Sequence, residues 1–198
     1  MNGLVVPENL NPQSDQFKAL VAGLLGRMDP NSDGFREMIA GQMDRIDNTR
    51  PVGTKFCDST MRLWPTSAFE AMLFRKGKSG TAEVYLRRRA PDDTAYPGEW
   101  HAPGSLYRHG EQDQHVANRL GKEFGAEISG FTLVGKEITS EARGTVHSMI
   151  FLIALKSDPR VDDRHGWFPV DHLPEVTVDL HRDLIIPKAY KALLSTWR

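Results

Sequence analysis

The sequence predicts an α/β fold in which a mixed sheet is preceded by a helical N-terminal extension. Three observations lead there: helical spacing of apolar residues up to about Met61, a change to short β-rich runs from about Ser67, and a return to helix after Pro187. The expected division is residues 1–65 for the extension and 66–198 for the α/β domain, which suits a chain of 198 residues.

Following Ser14, a suitable N-cap, Phe17, Leu20, Val21, Leu24, Leu25 and Met28 form one apolar stripe at helical spacing. The turn-forming run DPNSDG interrupts it, and Phe35, Met38, Ile39, Met43 and Ile46 form a second stripe. Two short amphipathic helices cannot bury both stripes against each other alone. They are expected either to complete the core of the main domain or to form a homodimer contact.

The runs Ala68 to Arg75 and Ala82 to Arg89, joined by KGKSG, predict a β-hairpin. Alternation in the second run puts Val84 and Leu86 on one face, with Tyr85, Arg87 and Arg89 on the other. PDDTAYPG reads as a loop, Gln112 to Phe124 as a helix, and Phe131 to Ile138 and Gly144 to Leu155 as strands. Pro187 suits a first helical turn.

Lys+Arg 25 against Asp+Glu 26 gives no general attraction to nucleic acid or membrane, so a nucleic-acid partner is not expected. The single cysteine, Cys57, excludes an internal disulfide and a cysteine-based zinc site. No run reaches the ~18–20 apolar residues of a membrane span, and the first residues lack a signal-peptide pattern. A soluble, cytoplasmic protein is the expectation.

The chemistry-bearing stretch is PGEWHAPGS followed by LYRHGEQDQHVANRLGKEFGAEI. With the preceding LRRRAP and the later HSMIFLIAL and WFPVDHLPE, it resembles the Nudix hydrolase superfamily over roughly residues 66–198. The family signature is G-x5-E-x7-R-E-U-x-E-E-x-G-U, with U aliphatic. The resemblance implies an α/β/α sandwich with a mixed sheet. It also implies Mg²⁺ or Mn²⁺ held by helix-borne glutamates, which neutralises phosphate charge while water attacks.

The signature fits in two registers. Counted from the loop, Gly104 and Ser105 stand for the glycine pair, Glu111 follows Ser105 at the family spacing, and Arg119 falls at the family arginine. Counted back from Gly125, Leu120 is the aliphatic residue, Glu123 the second paired glutamate, Lys122 replaces the first, and Arg119 replaces the glutamate of R-E. The second register is preferred for the helix because Val116, Leu120 and Phe124 make a buried stripe beside His115, Arg119 and Glu123. The loop then absorbs a one-residue deletion. Gly121 inside the helix suggests an irregular segment.

By this resemblance Glu123 is the principal metal ligand and catalytic group, with Glu111 an accessory ligand. Asp113 is a substitute ligand or simply a favourable first-turn acid. The reduced box is similar to that of GDP-mannose mannosyl hydrolases, in which an acidic, His-containing segment before a Trp supplies a ligand and a base. VDDRHGW lies in the corresponding place, which makes Asp163 and His165 the expected catalytic residues, against a plain solvated turn. Arg87 and Arg89 are expected to hold phosphate, unless the run only guards an edge strand. Arg119 and Trp100 complete the expected substrate contacts, with Trp100 as core the competing reading. His101, His109 and His115 lack the spacing of a zinc site.

Two functions remain open at this point. One is a Mg²⁺-dependent hydrolase of a nucleoside diphosphate derivative such as a nucleotide sugar. The other is a degenerate domain that binds a nucleotide or a protein partner without turnover, with Lys122 and Arg119 replacing metal charge.

Overall fold

A computed structural model describes residues 14–47, 53–78, 80–141 and 143–196. The chain divides between Asp47 and Asn48 into two units. The first contains α1 (Asp15–Leu25) and α2 (Asp33–Met43). Ser32, in the DPNSDG turn, caps α2 by accepting the Phe35 N–H, and none of the residues of α2 is buried. The residues read for a signal peptide, up to Gln13, lie outside the described residues.

The second unit opens with α3 (Thr54–Met61), a helix that the expected division assigns to the extension. Met61 is buried with Ala68 and Val146, and Cys57 and Leu106 pack against them. The remaining elements run β1 (Thr66–Met72), β2 (Phe74–Lys76), β3 (Ala82–Arg88), β4 (Trp100–His101), β5 (Gly104–Leu106), α4 (Asp113–Phe124), β6 (Ile128–Glu141), β7 (Gly144–Leu155), β8 (His165–Pro169) and α5 (Ile186–Thr196).

Two sheets result. One has the order β5-β1-β7-β6, with β1 parallel to β7 and the other pairs antiparallel, so it is mixed. In the other, β3 pairs with β2, β4 and β8, all antiparallel. The expected hairpin is thus corrected: KGKSG joins β2 to β3, while β1 leaves at Leu73 to pair with β7 in the other sheet. The Tyr85 N–H still donates to the Leu73 carbonyl at 3.0 Å, which bridges the two.

Alternation explains the layering. On one face, Phe69, Tyr85, Phe151 and Ile153 pack against Val116, Leu120 and Phe124 of α4. On the other, Met72, Val84, Leu86 and Ile150 pack against Ile185, Ile186 and Ala189. Helices therefore cover both faces, as an α/β/α sandwich requires. Because β3 has neighbours along both sides, its arginines do not guard an edge, which corrects that reading.

Helix α4 is unbroken, and Gly121 is buried where α4 packs against the chain entering β6. A Cβ there would approach the Ala126 carbonyl to 3.1 Å, so close packing rather than irregularity accounts for this glycine. Gly125 ends the helix in the left-handed region at φ 68°. The C-terminal helix starts before the predicted position. A π-helical turn at His181–Ile185 precedes α5, and the Ile186 N–H bonds to the His181 carbonyl; Pro187, with no N–H to donate, follows directly.

Candidate functional site

Strands β1, β4 and β5, helix α4, the β6–β7 turn and the π-helical turn surround a cavity of about 550 Å³. Its polar lining includes Glu70, Arg89, His101, Arg119, Arg143 and His181. Each reaches the cavity for a local reason. Glu70 lies on the same face of β1 as Met72, toward the π-helical turn that carries His181. Arg89 leaves the end of β3, and Arg143 sits in the tight turn before Gly144. Arg119 faces back from α4 to the Gly104 loop, where it donates to the Leu106 carbonyl at 3.0 Å and to Ser105 Oγ.

Two of the expected phosphate ligands, Arg89 and Arg119, line this cavity. Arg89 donates to Asp93 at 2.7 Å, and Arg143 pairs with Glu141 at 3.3 Å. The Tyr96 ring lies 5.6 Å from Arg89 and 5.2 Å from Arg143, and its hydroxyl donates to Glu141 at 2.9 Å. Burial, with Glu141 beside it, raises the Tyr96 phenol to about 12, so it stays a donor. The Nε atoms of Arg89 and Arg143 are buried without a hydrogen-bond partner among the described residues. Buried guanidinium donors left unpaired suit an anionic ligand.

The expected metal ligands are arranged differently. Glu111 receives Arg119 through two hydrogen bonds, at 2.6 and 3.2 Å, and accepts the Arg108 N–H at 2.8 Å. Burial pushes its pKa up, but the bonds from Arg119 and Arg108 outweigh this and hold the carboxyl below its usual range. Glu123 is engaged by Arg87 of β3. Among the described residues no three His, Cys, Asp or Glu side chains converge as a metal site. A divalent cation at Glu111 and Glu123 would have to displace an arginine from each, so these carboxylates as arranged do not fit the expected Mg²⁺ or Mn²⁺.

The remaining expected residues do not line the cavity. His165 is buried on β8, with Nδ1 2.6 Å from Asp162 Oδ1 and its ring 6.4 Å from that of Tyr85, which turns it inward. Asp163 is exposed in the adjoining turn. Register pairing sets His165 opposite Arg87, so Arg87, Glu123 and His165 occupy a second region beside α4. Trp100 packs edge-on against Phe168 at 4.8 Å within the core, and Asp113 accepts the Tyr107 hydroxyl at 2.6 Å.

Sequence reading missed Glu70 and His181, and saw His101 only as a poor zinc ligand. All three are buried. His181 Nδ1 accepts the Ala102 N–H at 3.3 Å, which leaves its proton on Nε2, the atom 3.9 Å from Glu70 Oε2. Burial, then the charges of Arg89 and Arg143, lower His181 to about 3, so the imidazole is neutral and this contact is not an ion pair. His101 is held well below its usual value by burial and by Arg89. Glu70 could have been noticed only as a charge inside an otherwise apolar strand, AFEAML.

No family profile matches the chain, and no curated protein matches it either. Solved structures do. A MutT/Nudix family protein from Listeria innocua is similar with a TM-score of 0.51 at 18% identity, covering 67% of this chain and 95% of that one. A Nudix hydrolase from Nitrosomonas europaea gives 0.50 at 18% identity, covering 68% and 92%. NrtR of Shewanella oneidensis gives 0.53 at 17% identity, and the match covers 66% of this chain and 63% of NrtR. NrtR is also known in complex with a 27mer DNA. Layering, mixed sheet and these likenesses agree that the chain is built on the Nudix fold.

Proposed function

We propose that this protein is a hydrolase of a nucleoside diphosphate derivative, such as a nucleotide sugar, held in the cavity beside the Gly104 loop. The observation that carries this reading is the gathering of Arg89, Arg119 and Arg143 on one cavity, with two buried guanidinium N–H donors unpaired. Guanidinium groups bind phosphate oxygens through paired N–H donors and neutralise their charge. A cavity of about 550 Å³ lies within the usual range for small-molecule sites. Near-balanced overall charge supports a small ligand over a nucleic acid. No step is assigned to a metal at Glu111 or Glu123.

A specific observation favours a second reading, binding without turnover. Arg87 and Arg119 occupy the two carboxylates on which the resemblance places the metal. Purified protein incubated with nucleotide sugars and dinucleotides, in Mg²⁺, in Mn²⁺ and in EDTA, separates the two. Release of a nucleotide product supports the hydrolase. Thermal stabilisation by a compound that is never cleaved supports binding alone, and a panel that neither stabilises nor reacts overturns both.

A further inference from the structure

We propose that Glu70 is the proton acceptor of the hydrolytic step, taking a proton from the water that attacks phosphorus in the cavity. This rests on the reading of that cavity as a phosphate site.

Four carboxylates line the cavity or pair with the arginines that line it, and their partners differ. Glu111 is paired with Arg119, Asp93 with Arg89, and Glu141 with Arg143. Glu70 alone of these has no lysine or arginine nitrogen within ion-pair distance among the described residues; its partners are Ser148 Oγ at 3.4 Å and the neutral His181 at 3.9 Å. A carboxylate neutralised by arginine is a weak base, so of the two carboxylates that line the cavity among the described residues, Glu70 and Glu141, Glu70 is the one suited to receive a proton.

Its position is built into the fold. Glu70 sits in β1 between β5 and β7, and its residue is 7% exposed. Opposite it in register is Gly104, where a Cβ would stand 2.4 Å from Glu70 Oε2 and 3.1 Å from the Phe69 carbonyl. Only glycine leaves the carboxylate its place beside the loop. His181 has its Nε2 proton on the side of Glu70, and as a neutral ring it leaves the carboxylate without a counter-charge.

The groups facing Glu70 are Ser148 from β7, His181 from the π-helical turn, His101 from β4, Glu141 and Arg143 from the end of the β6–β7 hairpin, and Arg89 from the end of β3. Burial, reinforced by Glu141, raises the Glu70 carboxyl to about 7 against the smaller lowering effects of Ser148, Arg143 and Arg89. A general base works best with a pKa near the working pH.

The step balances with water as the only co-reactant. The water oxygen forms a bond to phosphorus, and its proton passes to a Glu70 oxygen. The bond from phosphorus to the bridging oxygen breaks, and that oxygen keeps the electron pair. Glu70 then returns its proton to solvent. Glu70, Arg89 and Arg143 line the same cavity, so phosphate oxygens held by the two guanidinium groups would share it with Glu70.

The test uses the full chain with ADP-glucose, GDP-mannose and diadenosine diphosphate as probes, with binding read by calorimetry and turnover by nucleotide release. Glu70→Gln is expected to lower kcat by about 100-fold or more while affinity stays equal or tightens. Wild-type kcat is expected to rise about tenfold per pH unit up to near pH 7 and then level off, a dependence the variant lacks. A Glu70→Gln kcat within threefold of wild type overturns the proposal, and so does a wild-type profile with no inflection near pH 7. Should the variant fail to fold, the wild-type profile decides. Binding without cleavage by the wild type overturns the proposal and leaves the phosphate site standing. Failure of every probe to bind overturns both.

Discussion

Arg87 of β3 and Glu123 of α4 form an ion pair across the sheet–helix junction, with Nη1 of the arginine on Oε2 of the glutamate. Both side chains are one-third exposed, so solvent screens the pair. Glu123→Gln is therefore expected to cost less than about 1 kcal/mol in urea unfolding. Lost turnover in this variant with stability unchanged would assign Glu123 a direct part in the chemistry.

Arg119 is more deeply placed than Arg87. It joins Glu111, Ser105 and the Leu106 carbonyl, tying α4 to the Gly104 loop. Arg119→Met leaves the Glu111 carboxylate, 16% exposed, without its counter-charge. A loss of about 1–2 kcal/mol is expected, between the values for exposed and buried pairs, because Glu111 is partly exposed and keeps the Arg108 N–H. A double-mutant cycle with Glu111→Gln should recover part of it, whereas strict additivity would show that the two residues do not interact.

Gly104→Ala drives a methyl group to within 2.4 Å of Glu70 Oε2. Overpacking of this kind costs about 1–3 kcal/mol. Combining it with Glu70→Ser, which removes the obstructing carboxylate, should restore much of the melting temperature. No recovery would place the clash at the Phe69 carbonyl instead.

The pH dependence of stability carries the signature of Glu70. Its folded-state pKa, about 7, lies above the unfolded value of 4.5, so the folded state binds more protons between these values. Its contribution to stability is therefore greatest below pH 4.5, falls as pH rises, and is fully lost above pH 7. His101 and His181, both lowered from 6.5, act in the opposite sense and favour the fold as pH rises toward 6.5. The clean measurement is the difference between wild type and Glu70→Gln. The variant should gain stability relative to wild type from pH 4.5 to 7. The gain should reach roughly 3 kcal/mol, because each tenfold difference in proton affinity between the folded and unfolded chain is worth about 1.4 kcal/mol. A difference independent of pH would remove the raised pKa.

The layered fold was legible because alternation and helical spacing are local records of burial. Val116, Leu120 and Phe124 could be read as one stripe, and they are the residues that face Phe69 and Phe151. Val84 and Leu86 likewise separate from Tyr85 across β3. Strand partners were less legible. Nothing in AFEAML says that β1 runs parallel to β7, because that pairing joins segments about eighty residues apart. The site divides in the same way. Arg89 and Arg119 could be named from their places near a motif, whereas Glu70 and His181 lie 111 positions apart and meet only when the π-helical turn packs on β1.

The segment from Gly104 to Gly125 determined by itself the loop, the helix and the glycine that ends it, since caps, glycines and apolar spacing act over a few residues. What its glutamates do was decided by tertiary structure. Glu123 meets an arginine from β3, Glu111 meets Arg119 across the loop, and Gly104 makes room for a carboxylate from β1. A side chain's charge is written in the sequence. Whether that charge is neutralised, buried or left to take a proton depends on neighbours that only folding brings within a few ångströms.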